Sequence, residues 1–597
     1  MYRVIIEPGN LMFHVEENTP LRKFLIKEGI LIDFPCGGRG LCMQCKVKIV
    51  PAPESGKEGR KRLPEAEIKQ GIRLACQTKI ESDCTITIPK SRKAKITWEG
   101  TAETKAEPLL PGEALIEKIP LTLPEPTLND QRSDWARVRD ALLKKDIHAG
   151  KPEIPSLEDM SKSLRLNNWN IDVVLEDKEF IGIIGRDSDP LYGFAIDLGT
   201  TTVDISLHHL ETGGRIARKI LLNRQASFGA DVISRAQQFK TDREAVRKAA
   251  LDTINEGALS ILEETGIKPA RIYRTVVVGN PIMLHILLNL DPYQLTLAPY
   301  IPVISESLRV PPAYFGWNFQ KQGWVETLPV ISAFVGADTV GMIVALGIDN
   351  EKKTSLSIDV GTNGEIVLSD HGKLTATSTA AGPAFEGAQI ACGMRALEGA
   401  VYSVSINTAS YETIGDKPPI GICGTGLISA IAGLLNSGII DNTGRLLKPE
   451  EVADVELKKR IFNVDDKPAF AVTEDRTVYI TQRDIRELQL AKGAIRTGVD
   501  SLLAEAGIPI EKLDLIRLAG NFGAGIEVDS AIRIGLIPPV DKTIVDTVGN
   551  AALRGASVVL VSKTARERAS AVAGRVKFLE LAGKPEFQMR FAESMFF

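Results

Sequence analysis

Nowhere in this chain do about 18 apolar residues run together, so no segment reads as a membrane span. Its opening also lacks an apolar signal segment, which leads to the expectation of a cytoplasmic protein. Charge of one sign is scarce: the net value is −4, too little for a global field toward nucleic acid or an anionic membrane. Cysteine is scarce too, with seven in 597 residues, and an odd number spread this thinly argues against a disulfide framework. What remains is ordinary soluble composition, 44% hydrophobic and 25% charged. The length suits about four domains, or fewer if one is large and two-lobed.

The few cysteines are not scattered. Cys36, Cys42 and Cys45 stand in PCGGRGLCMQC as C-x5-C-x2-C, and Cys76 follows in RLACQ. Three thiolates from one loop and a fourth from behind it form the ligand set of a 2Fe–2S cluster. The loop's glycines, at 37, 38 and 40, let backbone N–H groups approach inorganic sulfide. Structural zinc is the alternative, but zinc sites come as two compact cysteine pairs, and here there is one pair with two outliers. The x5 spacing is one longer than the plant type and resembles the adrenodoxin branch of ferredoxins. RVIIEPGNLMFHV reads as two strands and the segment from Pro20 as a helix, as at the start of a ferredoxin. Cys84, in CTITIP, reads as a buried strand residue, and Cys392 and Cys423 as small core residues.

Composition divides the chain into a 2Fe–2S unit at 1–90, a proline-rich linker at 91–120, a small middle unit at 121–190 and a large unit at 191–597. Prolines at 108, 111, 120, 124 and 126 mark the linker region. Residues 133–144 read as a capped amphipathic helix, and IDVVLE and FIGIIG as strands. The middle unit carries no chemistry of its own and reads as a spacer or a dimerisation module.

Residues 191–597 repeat loosely. YGFAIDLGTTTVDISL and TSLSIDVGTNGEIVLS are both hairpin patterns turning on Asp-x-Gly-Thr. Each is followed by a helix, a Gly-Ile break and a buried strand ending in Gly-Asn. Gly266 precedes Gly279 by 13 residues, and Gly507 precedes Gly520 by the same 13. Matched order at matched spacing predicts two copies of one α/β unit facing a common cleft. Such turns bring backbone N–H groups and threonine hydroxyls to phosphate oxygens, and their aspartates can hold hydrated Mg²⁺ through water.

The ensemble resembles the actin, heat-shock chaperone and sugar kinase superfamily of ATPases, built on a duplicated RNase H-like fold. That likeness implies a first phosphate motif at Asp197, Gly199, Thr200, Thr201 and Thr202, and a second at Asp359, Gly361, Thr362, Asn363 and Gly364. It also implies an adenosine motif at Gly520, Asn521 and Gly523. Asp338, 21 residues before Asp359, is the candidate for orienting the attacking water; a helix cap is its other reading. Gly424, Thr425 and Gly426 open an apolar helix whose N–H groups could bind phosphate or ribose, or pack closely. Glu386, in AAGPAFEGAQIACGM, is a further candidate near the nucleotide.

A ferredoxin passes electrons downhill without ATP; ATP helps when the acceptor is harder to reduce than the donor. Plant-type clusters lie near −400 mV, and one electron moved 100 mV uphill costs about 2.3 kcal/mol. A conformational swing from 1:99 to 99:1 supplies about 5.5 kcal/mol, enough for roughly 240 mV. The chain as a whole resembles the reductive activators of corrinoid-dependent proteins, the RACE family. GADVISR, VVVGNPIMLH, AAGPAFEGAQIACGMRA and TQRDIRELQLAKGAIRTG carry that resemblance. It implies return of an inactive cobalt(II) corrinoid to cobalt(I), with a 2Fe–2S cluster as donor and ATP and Mg²⁺ as cofactors. The implied partners are a corrinoid iron–sulfur protein or corrinoid methyltransferase component and a low-potential electron donor. A homodimer is also implied, and neither nucleic acid nor membrane. Members with extra C-terminal cysteine clusters differ from this chain, which has no cysteine after Cys423. Open alternatives are a ferredoxin-fused small-molecule kinase and an ATP-driven chaperone of a corrinoid protein; an activator of 2-hydroxyacyl-CoA dehydratases would share the ATPase fold, but the four early cysteines count against it.

Overall fold

The computed structural model describes residues 1–28, 30, 32, 34, 38, 40, 43, 45–54, 63–88, 113–186, 190–464, 466–523, 525–581, 583 and 585–597. Cys36, Cys42 and the linker prolines at 108 and 111 therefore lie outside the described residues.

Alternating apolar residues make the N-terminal sheet. Val4, Ile6, Val47, Ile49 and Ile86 point to one buried face. Five strands pair in the order Leu11–Val15, Tyr2–Glu7, Cys84–Thr87, Lys46–Val50, Ile72–Leu74. The helix Leu21–Lys27 lays Leu21, Phe24 and Leu25 over that face, a β-grasp arrangement that agrees with the ferredoxin-like start expected. Cys84 is buried in its strand as expected, and burial pushes its thiol up to about 11.

The next unit is a three-stranded antiparallel sheet, Ile116–Thr122, Asn170–Glu176 and Glu179–Gly185 in that order. The helix Asp134–Leu143 packs on it through Val138 and Leu142, capped by Ser133 Oγ accepting from Ala136 N at 3.2 Å. A buried ion cluster joins this unit to the large one. Glu176 accepts from Arg274 and, at 2.6 Å, from Arg309; Arg274 also donates to Glu326 at 2.7 Å, and Arg566 to Glu326 at 2.9 Å. Burial opposes the charge on Glu326, but Arg274, Arg309 and Arg566 hold its carboxyl below the usual range. Removing one member leaves its partner charged and buried. Arg274→Ala is therefore expected to destabilise the protein by about 3–5 kcal/mol, seen as a lower urea midpoint, whereas exposed Lys459→Ala changes little.

The large unit centres on two six-stranded sheets, with two three-stranded sheets added to them among the described residues. The first runs Arg215–Leu222, Thr202–His209, Tyr192–Leu198, Ile272–Val278, Trp324–Thr327, Leu308–Val310. Read in reverse, the second begins Lys577–Phe578 and continues Lys373–Thr379, Gly364–Asp370, Thr354–Val360, Leu515–Ala519, Val545–Gly549. Each contains an antiparallel three-strand meander followed by two parallel strands, so the predicted duplication is present. The helices Arg243–Thr265 and Gln482–Ala506 end at Gly266 and Gly507, both left-handed, which matches the repeated Gly-Ile break.

Two helices, Ala337–Leu346 and Ala551–Val561, cross against each other between the sheets. Their crossing depends on Gly555, where a Cβ would lie 2.0 Å from Gly341 O. Val340 packs into the first sheet's core, whereas Met342 and Ile343 join a cluster containing Val367 and Ala376 of the second. This pair is placed where a hinge between lobes would act.

Candidate functional site

The two Asp-x-Gly-Thr turns meet across a cavity of about 230 Å³ between the sheets. Asp197 and Asp359 end buried strands, and the chain then turns through Gly199 and Gly361 into the next strand. At Gly199 a Cβ would lie 2.7 Å from Thr202 O, so only glycine closes this turn. The lobes touch here: Thr201 Oγ1 and Thr362 Oγ1 are 3.3 Å apart. Glu386 Oε1 accepts from Thr362 Oγ1 at 2.6 Å and from Thr201 Oγ1 at 3.5 Å. Its loop is tied to the second turn by Gly382 N donating to Thr362 O at 2.9 Å. A carboxylate thus bridges the hydroxyls that face each other across the cleft.

Each hairpin carries a second acid opposite the first. Asp204 pairs with Asp197 across the first hairpin, and Glu365 with Asp359 across the second. Like charges directly opposite are unfavourable unless something offsets them. In the first hairpin Arg218 Nε donates to Asp204 Oδ1 at 2.9 Å, and Asn550 Nδ2 donates to Asp197 Oδ2 at 2.8 Å and Asp204 Oδ2 at 3.0 Å. Burial, then neighbouring Asp204, Asp338 and Asp359, still drives Asp197 well above the usual carboxylate range. Asp359 is pushed up to about 7 by burial and by Asp338, and burial raises Asp338 to about 6. Glu365 and Glu386 are raised as well, chiefly by burial. A cavity holding this many strained acids, with Arg395 on its wall, suits a polyanion that arrives with a cation. Among the described residues no three His, Cys, Asp or Glu side chains converge as direct metal ligands.

Asp338 reaches this cavity from the first turn of Ala337–Leu346. It is not the helix cap; Gly336 occupies that position without a side chain. Asp338 Oδ1 instead accepts from Thr339 N at 2.7 Å, which holds the carboxylate in place. Asn280, capping Pro281–Leu287, donates to Thr200 Oγ1 at 3.3 Å. Gly520 and Asn521 line the cavity with Phe522, whose ring lies 5.2 Å from that of Phe385. At Gly520 φ is +90° and a Cβ would lie 2.5 Å from Asp359 Oδ1, so glycine is required.

Some sequence candidates stand apart from the cavity. Gly364, Gly426 and Gly523 do not line it, whereas Gly424 and Thr425 do. The glycines at 424 and 426 answer to packing, since a Cβ would lie 2.0 Å from Phe385 O or 2.2 Å from Val401 O. Cys423 is buried as expected, but Cys392 is half-buried rather than core. Asn550, Asp204, Glu365 and Arg218 were missed. Asn550 had a signal, because TVGN is a third strand-ending Gly-Asn; the paired acids had one in D-x6-D and D-x5-E.

The thiol site is described in part. Cys45 is buried and Cys76 half-buried. A hydrogen bond between their thiols outweighs burial and draws Cys76 down to about 7. Gln77 Nε2 donates to Gly38 O at 2.7 Å, bracing the cysteine-bearing loop. Two touching thiols, one readily deprotonated, beside a glycine loop fit an iron–sulfur ligand set.

Comparisons with known proteins cover nearly the whole chain. Residues 4–81 match the 2Fe-2S iron-sulfur cluster binding domain, 111–189 the RACo linker region, 192–351 the RACo middle region, and 353–597 the C-terminal domain of RACo, the ASKHA domain. The chain is 32% identical over 575 residues to the corrinoid activation enzyme RamQ of Eubacterium limosum, spanning 94% of this chain and 93% of that one. It is 27% identical over 407 residues to the Co(II) methylated amine-specific corrinoid protein reductase of Methanosarcina barkeri, spanning 63% of this chain and 71% of that one. The solved structure of a reductive activator for corrinoid, iron-sulfur protein superposes with TM-score 0.74 at 34% identity, covering 100% of this chain and 98% of that one.

Proposed function

This chain belongs to the RACo family of corrinoid-protein activators, and we propose that it uses ATP hydrolysis to return an inactive cobalt(II) corrinoid protein to cobalt(I). The observation that carries this reading is the joining, in one chain, of the Cys45 and Cys76 thiols and a two-lobed cleft lined by two Asp-x-Gly-Thr turns. Cys36, Cys42, Cys45 and Cys76 would hold the 2Fe–2S cluster, whose contribution when bound is one-electron chemistry. The partner is a corrinoid iron–sulfur protein or a corrinoid methyltransferase component, and a separate low-potential donor reloads the protein.

The chain's own residues supply the rest. Backbone N–H groups and hydroxyls at Gly199, Thr200, Thr201 and Thr202, and at Gly361, Thr362 and Asn363, receive the phosphates from the two lobes. Asp197, Asp204, Asp359 and Glu365 would hold a Mg²⁺ that arrives with the nucleotide, whose contribution when bound is to offset phosphate charge. Asp338 accepts a proton from the attacking water. Phe385 and Phe522, with Gly520 and Asn521, form an apolar wall suited to the adenosine. ATP must displace Glu386 from between Thr201 and Thr362, so filling the cleft changes what joins the lobes. The helix pair crossing at Gly341 and Gly555 is suited to carry that change outward.

The test is the visible spectrum of a candidate corrinoid partner incubated anaerobically with the loaded protein, a reductant and MgATP. Cobalt(I) is expected to accumulate only when all three are present. Equal accumulation without ATP would remove the ATPase from the reaction. Phosphorylation of a small metabolite in step with ADP release would favour a kinase instead.

A further inference from the structure

We propose that Arg22 is a positioning residue that ties the cysteine-bearing loop to the first phosphate turn, so that the ligand bound at that turn governs how the ferredoxin unit is held. The inference rests on the nucleotide reading of the cleft and adds its means of regulation.

Arg22 lies on the helix Leu21–Lys27, yet its guanidinium faces another unit. Nη2 donates to Ser227 O at 2.9 Å, across 205 residues of sequence. The group also stands 5.3 Å from the ring of Phe34 and 6.0 Å from that of Phe228. On its other side is Gly38, two residues after Cys36 in sequence, where a Cβ would lie 2.5 Å from Arg22 Nη1. One planar cation is therefore shared by the thiol loop and the nucleotide lobe, a role that suits arginine's fixed fork better than lysine's point charge.

Ser227 and Phe228 belong to the short helix Arg224–Phe228, whose cap, Asn223, is bonded to the phosphate turn. Asn223 N donates to Thr201 O at 3.0 Å, and its Nδ2 donates to Gly199 O at 2.8 Å. Its Oδ1 accepts from Gln225 N at 3.0 Å. The same segment is braced on the helix Arg243–Thr265, with Arg224 N donating to Thr253 Oγ1 at 3.1 Å and Gln225 Nε2 to Val246 O at 3.0 Å. Phosphate turn and thiol loop are thus joined through one stiff segment of six residues, 223–228. Any shift of Gly199 and Thr201 around a phosphate moves the carbonyl that Arg22 holds. Linkage makes this reciprocal: if the nucleotide alters the grip on the ferredoxin unit, that grip alters nucleotide affinity by the same factor.

The test is hydrogen–deuterium exchange of the full-length, cluster-loaded protein, read at residues 21–28 and 223–228 with and without saturating MgATP. In the wild type, MgATP is expected to change exchange at 21–28 by about tenfold, the scale of one charge-assisted hydrogen bond. In Arg22→Ala, ATP hydrolysis at saturating MgATP should stay within about twofold of wild type, because Arg22 lies outside the cleft, while nucleotide affinity shifts by up to the same tenfold and exchange at 21–28 becomes indifferent to nucleotide. Arg22→Lys keeps the charge and should lose most of the response. A wild-type response in Arg22→Ala, or no response in the wild type, overturns the proposal. If Arg22→Ala does not retain its cluster, Arg22→Lys decides: an unchanged nucleotide response there overturns it, and a lost response supports it. No corrinoid enters the measurement, so its failure is separable from failure of cobalt(I) formation. Absence of ATP binding to the wild type by calorimetry would instead sink the nucleotide reading.

Discussion

Cys76→Ser is expected to cut cobalt(I) formation more than about 100-fold while leaving ATP hydrolysis near wild type. Loss of a residue that merely orients a metal ligand already costs about 10–100-fold, and Cys76 is proposed here as a ligand itself. Its thiol touches that of Cys45, and its loop neighbour Gln77 holds Gly38. The cleft residues all come from position 197 onward, so the hydrolytic site should not be disturbed. Absorbance of the cluster should fall with activity, and Cys42→Ala should behave alike. Cys84→Ser is the matched control: this thiol is buried in a strand and raised to about 11, poorly suited to binding iron, so the cluster should survive. A chaperone that only grips the corrinoid protein would keep working in all three variants. Undiminished cobalt(I) from Cys76→Ser would remove the electron-donor reading.

Much of the fold was legible because the duplicated unit writes its core twice. The strands Tyr192–Leu198 and Thr354–Val360 are buried along nearly their whole length, and the strands Ile272–Val278 and Leu515–Ala519, just before Gly279 and Gly520, are buried too, so apolar runs and their glycine stops appear as repeats. The third such strand, Val545–Gly549, stands at the edge of its sheet and is mostly part-exposed. Its Asp546 and Thr547 break the apolar pattern, so the Gly-Asn stop at Asn550 does not stand out as the other two do. Gly424 and Gly426 show the opposite error: a glycine required by a neighbouring carbonyl looks, in sequence, like one that binds phosphate. Glu386 sits in a stretch without a strand or helix between Thr379 and Ala400, where no periodicity points to its facing Thr201 and Thr362. The middle unit looked featureless because its defining acid, Glu176, finds Arg274 98 residues away. Long-range pairing of that kind leaves no local pattern.

Asp338→Asn is expected to lower ATP hydrolysis by about 10²–10⁴-fold, the usual contribution of a positioned base. The same substitution should make the protein more stable at alkaline pH. Burial raises Asp338 in the folded chain to about 6, whereas an unfolded aspartate titrates near 3.9. Between about pH 4 and 6 the folded chain binds a proton that the unfolded chain has released, so stability falls as pH rises through this window. Above it the folded state retains a desolvated charge, and the penalty persists. Asparagine carries none. The melting temperature of Asp338→Asn should therefore exceed wild type by roughly 2–5 °C at pH 8 and converge with it near pH 4. Asp359, raised to about 7, should behave likewise over a wider window. Wild-type hydrolysis should climb as pH passes through about 6, when Asp338 gains its accepting form, and the Asn variant should lose that limb. MgATP, by supplying a cation, should shrink the stability difference between the two proteins. A variant with wild-type turnover would show that another group takes the proton, with Glu386, already bonded to both threonines, next in line. A variant that is slow but no more stable at pH 8 would show that the cavity's acids are relieved before nucleotide arrives, which places a resident cation there.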